Sequence, residues 1–161
     1  LQKLINNNKL KIKIMRNKFK FLDNDNNKLS LIIIDNNEHT AELERMDFSI
    51  EFNGELIMPS SVTYKGTTYT ITDIDRYAFL NCEDLTSIII PDSVKSIGDF
   101  ALEHCRSLTS ITNMSINPQE IDSATFNKVP KDVVLYVPTS SILKYKNSQW
   151  WKQFKNLNVI K

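Results

Sequence analysis

Glycine, cysteine and histidine are scarce in this chain: three Gly, two Cys and two His in 161 residues. So few Cys and His argue against a zinc site built from those residues alone. They also exclude a disulfide-dense secreted scaffold. No glycine-rich phosphate loop, metal triad or paired-carboxylate motif appears, so neither catalytic residues nor a cofactor or metal is expected. No apolar run approaches the roughly 18 residues of a membrane-spanning helix. A basic leader followed by an apolar stretch, the mark of a signal peptide, is missing as well, which leaves the compartment undecided from this stretch. The start at Leu1 without Met is that expected of a processed or truncated product.

What is present describes a folded domain. Hydrophobic residues make up 41% and charged residues 24%, a balance that sets the chain apart from disordered sequences. A chain of this length buries roughly 68–70% of its unfolded surface. Its net charge of +1 conceals an asymmetry. Residues 1–20 carry seven Lys/Arg and no acid, so the remaining 141 residues carry −6. An acidic body argues against nucleic-acid binding. The leader, residues 1–18, is read as a solvated Asn/Lys-rich segment, though its charge would suit an anionic partner.

The main feature is a repeat. Residues 74–90 (IDRYAFLNCEDLTSIII) match 97–113 (IGDFALEHCRSLTSITN) at an offset of 23, with seven of seventeen positions identical. Chance would supply about one. The shared positions are Ile74/Ile97, Ala78/Ala101, Cys82/Cys105, Leu85/Leu108, Thr86/Thr109, Ser87/Ser110 and Ile88/Ile111. Downstream, IDSATF (121–126) restarts the unit after one extra residue, and LYVP (135–138) answers IIIP (88–91). Upstream, LIMPSSV (56–62) answers IIIPDSV (88–94), followed by TYKGTTYTI, which alternates around Gly66 and predicts a hairpin.

A period of 23 falls among leucine-rich repeats. Leu85, Ile88 and Ile90 hold the L-x-x-L-x-L spacing of a strand, which Pro91 ends because it has no N–H to donate. Val94, Ile97, Ala101 and Leu102 are expected to bury the returning half of each coil. The fold class expected is mostly β (α+β): a short leucine-rich-repeat solenoid of parallel stacked strands. Open ends of such a stack need covering. Residues 19–73 are assigned an N-terminal β-meander cap with the first coil and the hairpin, 74–138 the coils, and 139–161 a C-terminal helical cap ending in a strand. Thr139, Ser140 or Ser141 is expected to cap a first helix there, and Ser148 a second. Trp151 and Phe154, three apart, are expected on one helical face against the last coil.

The segment ITDIDRYAFLNCEDLTSIIIPDSVKSIGDFALEHCRSLTSI resembles the BspA-like leucine-rich repeat family, whose unit reads approximately I-x-x-x-A-F-x-x-C-x-x-L-T-x-I-x-I-P-x-S-V-x-x-I. The terminal VPKDVVLYVPTSSILKYKNSQWWKQFKNL is similar to that family's closing module, and SSVTYKGTTYTITDI to its opening hairpin. The resemblance covers residues 54–161. It implies a repeat domain of secreted or surface proteins that binds host or matrix proteins, with no catalysis and no cofactor. Where the family has Gly after the first Ile, only Gly98 keeps it; Asp75 and Asp122 replace it. If that position needs positive φ, Asp is among the better substitutes.

The remaining chemistry reads as structure. Cys82 and Cys105 share a repeat position and are expected as buried, reduced thiols in an apolar ladder, with Cβ directions that suit a disulfide badly. His104 beside Cys105 lacks the spatially separated partners of a nucleophilic site, and His39 lies in a turn-rich stretch. Glu83, Asp84, Asp92 and Asp99 read as solvated turns. NMS (113–115) is a glycosylation acceptor sequence. Strand alternation leaves one candidate protein-binding face: Ile57, Ser87, Ile89, Ser110, Thr112, Val134 and Tyr136, with Trp150 a second contact. The function expected is a non-enzymatic, protein-binding domain of a cell-surface or secreted protein, with no nucleic-acid partner and an open oligomeric state. The alternatives are a structural spacer or accessory domain of a larger protein, or an intracellular protein-recognition module.

Overall fold

The computed structural model describes residues 14–15, 18–22, 28–35, 38–44 and 54–160, with side chains at 38–44 and 54–160. The basic residues before Ile14 and the Asn/Asp-rich segment 23–27 lie outside the described residues. The described chain is mostly β, in two sheets.

One sheet is built by the repeat. Its strands are β5 (Gly54–Ile57), β8 (Leu85–Ile90), β10 (Ser110–Asn113), β11 (Val134–Val137) and β12 (Asn156–Val159). They lie in the order β12-β11-β10-β8-β5 and every pair is parallel. The 23-residue offset becomes spatial register: Ser87, Ile88 and Ile89 face Ser110, Ile111 and Thr112. Ile88 with Ile90 and Leu135 with Val137 are buried on the inner side, as period-2 alternation requires, as is Ile111; Leu85 and Leu108, three residues before Ile88 and Ile111, are buried as well. Pro91 follows directly on β8.

The second sheet begins with β1 (Ile14–Met15), β2 (Lys18–Leu22), β3 (Lys28–Asp35) and β4 (Thr40–Glu44), paired antiparallel in sequence order. It continues through β7 (Thr67–Ile74), which pairs parallel with β4 and antiparallel with β6 (Ser61–Tyr64). Lys65 and Gly66, at φ 50° and 82°, turn the β6–β7 hairpin, as expected of a primed two-residue turn. β9 (Ser96–Ile97) adds to β7 in parallel, and Glu120 bridges Ser96 in the same sense. The returning half of each repeat thus has a ladder of its own.

Between the two ladders the chain makes paired tight turns. Ala78 N–H donates to Asp75 O and Cys82 N–H to Phe79 O; Ala101 to Gly98 and Cys105 to Leu102 repeat them one unit later. Neighbouring turns are tied by Tyr77 N–H to Asp99 O (3.1 Å), Phe79 N–H to Ala101 O (2.8 Å) and Asn81 N–H to Glu103 O (3.0 Å). The left-handed residues here are Tyr77, Phe100, Asn81, His104 and Lys128, with φ between 59° and 63°. Positive φ therefore does not fall on the Gly98 position. Gly98 is required for another reason: a Cβ there would lie 2.4 Å from Arg76 N. The stacked rings of Tyr77 and Phe100, 5.2 Å apart, accompany the strained backbone.

The C-terminal segment is anchored by polar groups. Asn113 stands where the preceding unit has Ile90 and is completely buried. Its Nδ2 donates to Gln119 Oε1 (2.8 Å), and Gln119 Nε2 donates to Val94 O (3.0 Å). Engaged in this way, Asn113 is closed to glycosylation in the folded chain, whatever its NMS context. Tyr145, on α1 (Ile142–Asn147), donates to Ser115 O (3.0 Å), and Trp151 Nε1 donates to Gln119 O (2.9 Å).

The expected helix caps are absent. Ser141 precedes α1 but its hydroxyl donates back to Pro138 O, and Ser148 ends α1 rather than starting the next turn. That turn, Trp151–Gln153, is a 3-10 helix, so Trp151 and Phe154 eclipse each other and both pack on Phe126, at 5.2 and 5.0 Å.

Candidate functional site

Alternation along the parallel strands turns every second side chain away from the core. Register then lines those residues up across the sheet. One row runs Glu55, Ser87, Ser110, Val134, Asn156; the next runs Ile57, Ile89, Thr112, Tyr136, Asn158. All seven residues singled out from the sequence fall in these two rows. Ile57 is 43% exposed and the other six are half-buried, the state expected of side chains flanked by neighbours within a sheet. The second row carries the apolar side chains Ile57, Ile89 and Tyr136, with Thr112 between Ile89 and Tyr136, and the hydroxyls of Ser87 and Ser110 stand in the row beside it.

Four further members were not singled out. Glu55 begins the first row, and Asn156 and Asn158 end both, because β12 joins the sheet in parallel beside β11. Met114, 45% exposed, extends the β10 alternation one step beyond the strand, with its N–H on Ile90 O (3.0 Å). Extending the alternation past Thr112 was the available signal for Met114. Asn156 and Asn158 alternate with Leu157 and Val159 in the expected last strand, but no repeat unit there announced its pairing beside β11. Trp150 is half-buried, beside fully buried Trp151.

The core positions of the repeat pack as one cluster: Ile74, Ala78, Leu85, Ile88, Ile97, Ala101, Cys105, Leu108 and Ile111 are buried. Cys82 departs from the expectation and is only half-buried, packed against that cluster. Both thiols are free. Cys105 Sγ donates to Phe79 O (3.3 Å). Burial pushes the Cys82 thiol up to about 12, and raises Cys105 too, with the neighbouring Cys82 adding to the effect. Such thiols are protonated and poor nucleophiles. His104 Nδ1 meets Asn81 Oδ1 (2.9 Å), one unit away, instead of either thiol. Among the described residues, no group of three or more His, Cys, Asp or Glu is placed to hold a metal ion.

These raised values carry a pH dependence. The folded state keeps protons that the unfolded chain releases, so the stabilisation is complete below the unfolded thiol pKa of about 8.5 and is lost as pH rises toward the folded value. Stability is expected to fall above pH ~8.5 by roughly 1.4 kcal/mol per pH unit for each buried thiol. Tyr145, raised by burial, joins above its ordinary value of about 10. Urea midpoints measured from pH 8 to 10 should decline, and the double variant Cys82→Ala/Cys105→Ala should flatten that decline. A midpoint independent of pH in the wild type would contradict the buried state of the thiols.

Comparison with known proteins agrees with this architecture. The profile described as BspA type leucine rich repeat region (6 copies) matches residues 58–160. A leucine-rich repeat protein from Bacteroides capillosus has the same fold at 24% identity and a TM-score of 0.57, over 93% of this chain and 99% of that one. A leucine-rich repeat protein from Bacteroides ovatus gives 22% identity and a TM-score of 0.51, over 68% of this chain and 36% of that one. No curated protein matches the chain. With the profile spanning more than half of the residues, and its repeat visible as the parallel ladder, this chain belongs to the BspA type leucine-rich repeat family.

Proposed function

We propose that this chain is a non-enzymatic protein-binding module of a secreted or cell-surface protein, and that it captures a host or matrix protein on the outward face of its parallel sheet. In this reading residues 74–138 form a short solenoid. The meander within 19–73 covers one end, and residues 139–161 cover the other. The observation that carries the reading is the pair of rows centred on Ile57, Ile89 and Tyr136. Stacked repeats hold these side chains in register at the strand spacing of about 4.8 Å, a rigid surface on which little side-chain freedom is lost on binding. Apolar side chains interspersed with hydroxyls are typical of protein interfaces. Membership of a leucine-rich repeat family supports the protein-binding class, and the protonated thiols of buried Cys105 and half-buried Cys82 fit a role without chemistry.

The test is binding of the full chain to immobilised extracellular-matrix proteins. The variants Ile89→Glu and Tyr136→Glu are expected to weaken capture by more than about 30-fold, the equivalent of a hot spot worth at least ~2 kcal/mol. Both side chains project from the outer side of the sheet, so stability should change by no more than about 0.5 kcal/mol. Failure of the wild type to bind any matrix component would sink the adhesive reading. Capture that survives both variants would move the site elsewhere.

A further inference from the structure

We propose a second site, at the C-terminal end of the chain, that binds a sulfated oligosaccharide. The last carboxylate in the sequence is Asp132; after it come five lysines (Lys144, Lys146, Lys152, Lys155 and Lys161) and no acid. The chain folds three of these lysines around one hollow. A groove of about 640 Å³ between α1 and the 3-10 turn is lined by Lys146, Lys152 and Lys155, with Trp150, Gln149 and Gln153. A second hollow of about 280 Å³ adjoins it through Gln153, Phe154 and Lys155 and adds Lys131. No carboxylate lines either one. Among the described residues, the Lys146 and Lys152 ammonium groups have no ion-pair or hydrogen-bond partner.

Clefts lined by one sign of charge concentrate ions of the other sign. The chemistry of this lining narrows the anion. Its cations are all lysines, which act as point charges and suit tetrahedral sulfate or phosphate, whereas the planar carboxylates of an acidic peptide favour the bidentate fork of arginine. Two hollows sharing Gln153–Lys155 make an elongated track, matched to a linear polymer. Single-stranded nucleic acid is held on successive aromatic platforms, and this groove offers one half-exposed ring, Trp150. That single flat face suits the C–H face of one sugar ring. Gln149, Gln153 and Ser123 supply the donors and acceptors that sugar hydroxyls need. This site is separate from the outward sheet face and does not depend on it.

Both tryptophans of the chain border the groove, so their emission reports its occupation. The full chain would be titrated with a heparin hexasaccharide while tryptophan fluorescence is followed. A saturable change is expected, with affinity falling roughly tenfold or more between about 50 and about 200 mM salt. Lys146→Gln/Lys152→Gln should weaken binding by at least about tenfold without moving the melting temperature, since both side chains are exposed. If the groove lysines carry the binding, neutralising the leader with Lys9→Gln/Lys11→Gln/Lys13→Gln should leave the fluorescence titration within about twofold. The proposal is overturned if emission does not change, or if the desulfated hexasaccharide binds equally well. It is also overturned if polyglutamate or single-stranded DNA of matched charge binds as tightly, or if the leader variant alone abolishes binding.

Discussion

Gly98→Ala is expected to destabilise the protein by about 3 kcal/mol, although it adds a single methyl group. The added Cβ would stand 2.4 Å from Arg76 N, 2.8 Å from Arg76 Cα and 2.9 Å from Asp75 C. These are backbone atoms of the preceding unit, and no rotamer change removes them. Either turn would have to move by about 1 Å to restore ordinary contact distances. Both turns are tied in place: Gly98 N–H donates to Ile74 O (2.8 Å), and Tyr77 N–H to Asp99 O (3.1 Å). Relief of the clash therefore costs hydrogen bonds of the returning ladder, worth about 1 kcal/mol each. For a domain of this size the melting temperature should drop by about 10 °C. Asp75 tolerates a side chain at the same repeat position because it follows β7 and its N–H donates to Leu43 O of β4 (2.8 Å), a strand, rather than to an earlier turn. Urea denaturation of Gly98→Ala beside Asp75→Ala separates the two environments. Equal, small losses in both would show that the turns are not closely stacked.

The features that the sequence made legible are those the repeat enforces. Stacking requires equivalent residues to meet, so an offset of 23 in sequence became the pairing of Ser87 with Ser110 and Ile88 with Ile111. Alternation then separated Ile88 and Ile90 from Ser87 and Ile89, and the candidate face followed. Legibility ended where the repeat did. β4 joins β7 in parallel through a register shift between Ala41 and Glu42, a non-local pairing without any internal copy to announce it. Asn113 looks like a lapse in the repeat, since a polar residue stands where the preceding unit has Ile90; only its hydrogen bond with Gln119 shows that the core is satisfied there. Scarcity of glycine misdirected the reading of the turns. Left-handed backbone is carried by Tyr77, Phe100, Asn81, His104 and Lys128, where Asn and His are permitted types and the aromatic residues are held by stacking and by turn-to-turn hydrogen bonds. The glycine that remains serves close approach instead.

Trp151→Ala should be the most damaging substitution in the C-terminal segment, with an expected loss of about 3–5 kcal/mol. The indole is the largest completely buried side chain and packs against Phe126 (5.2 Å), Tyr145 (5.4 Å) and Phe154 (6.1 Å). Truncation leaves a cavity among aromatic rings that cannot close without moving α1. It also leaves Gln119 O without the indole donor (2.9 Å) inside a buried network, a further penalty of about 1–3 kcal/mol if water does not enter. Trp151→Phe divides the two contributions, since it keeps most of the ring contact and removes the N–H; its cost should be near 1–2 kcal/mol. Because β12 completes the parallel sheet from the same segment, amide exchange at Ile160, whose N–H donates to Val137 O (3.0 Å), should accelerate in Trp151→Ala by more than that at Ile88 and Ile111, which follow global unfolding. If Trp151→Ala costs less than about 1 kcal/mol, or if exchange accelerates uniformly across all five parallel strands, the segment is not secured through this side chain.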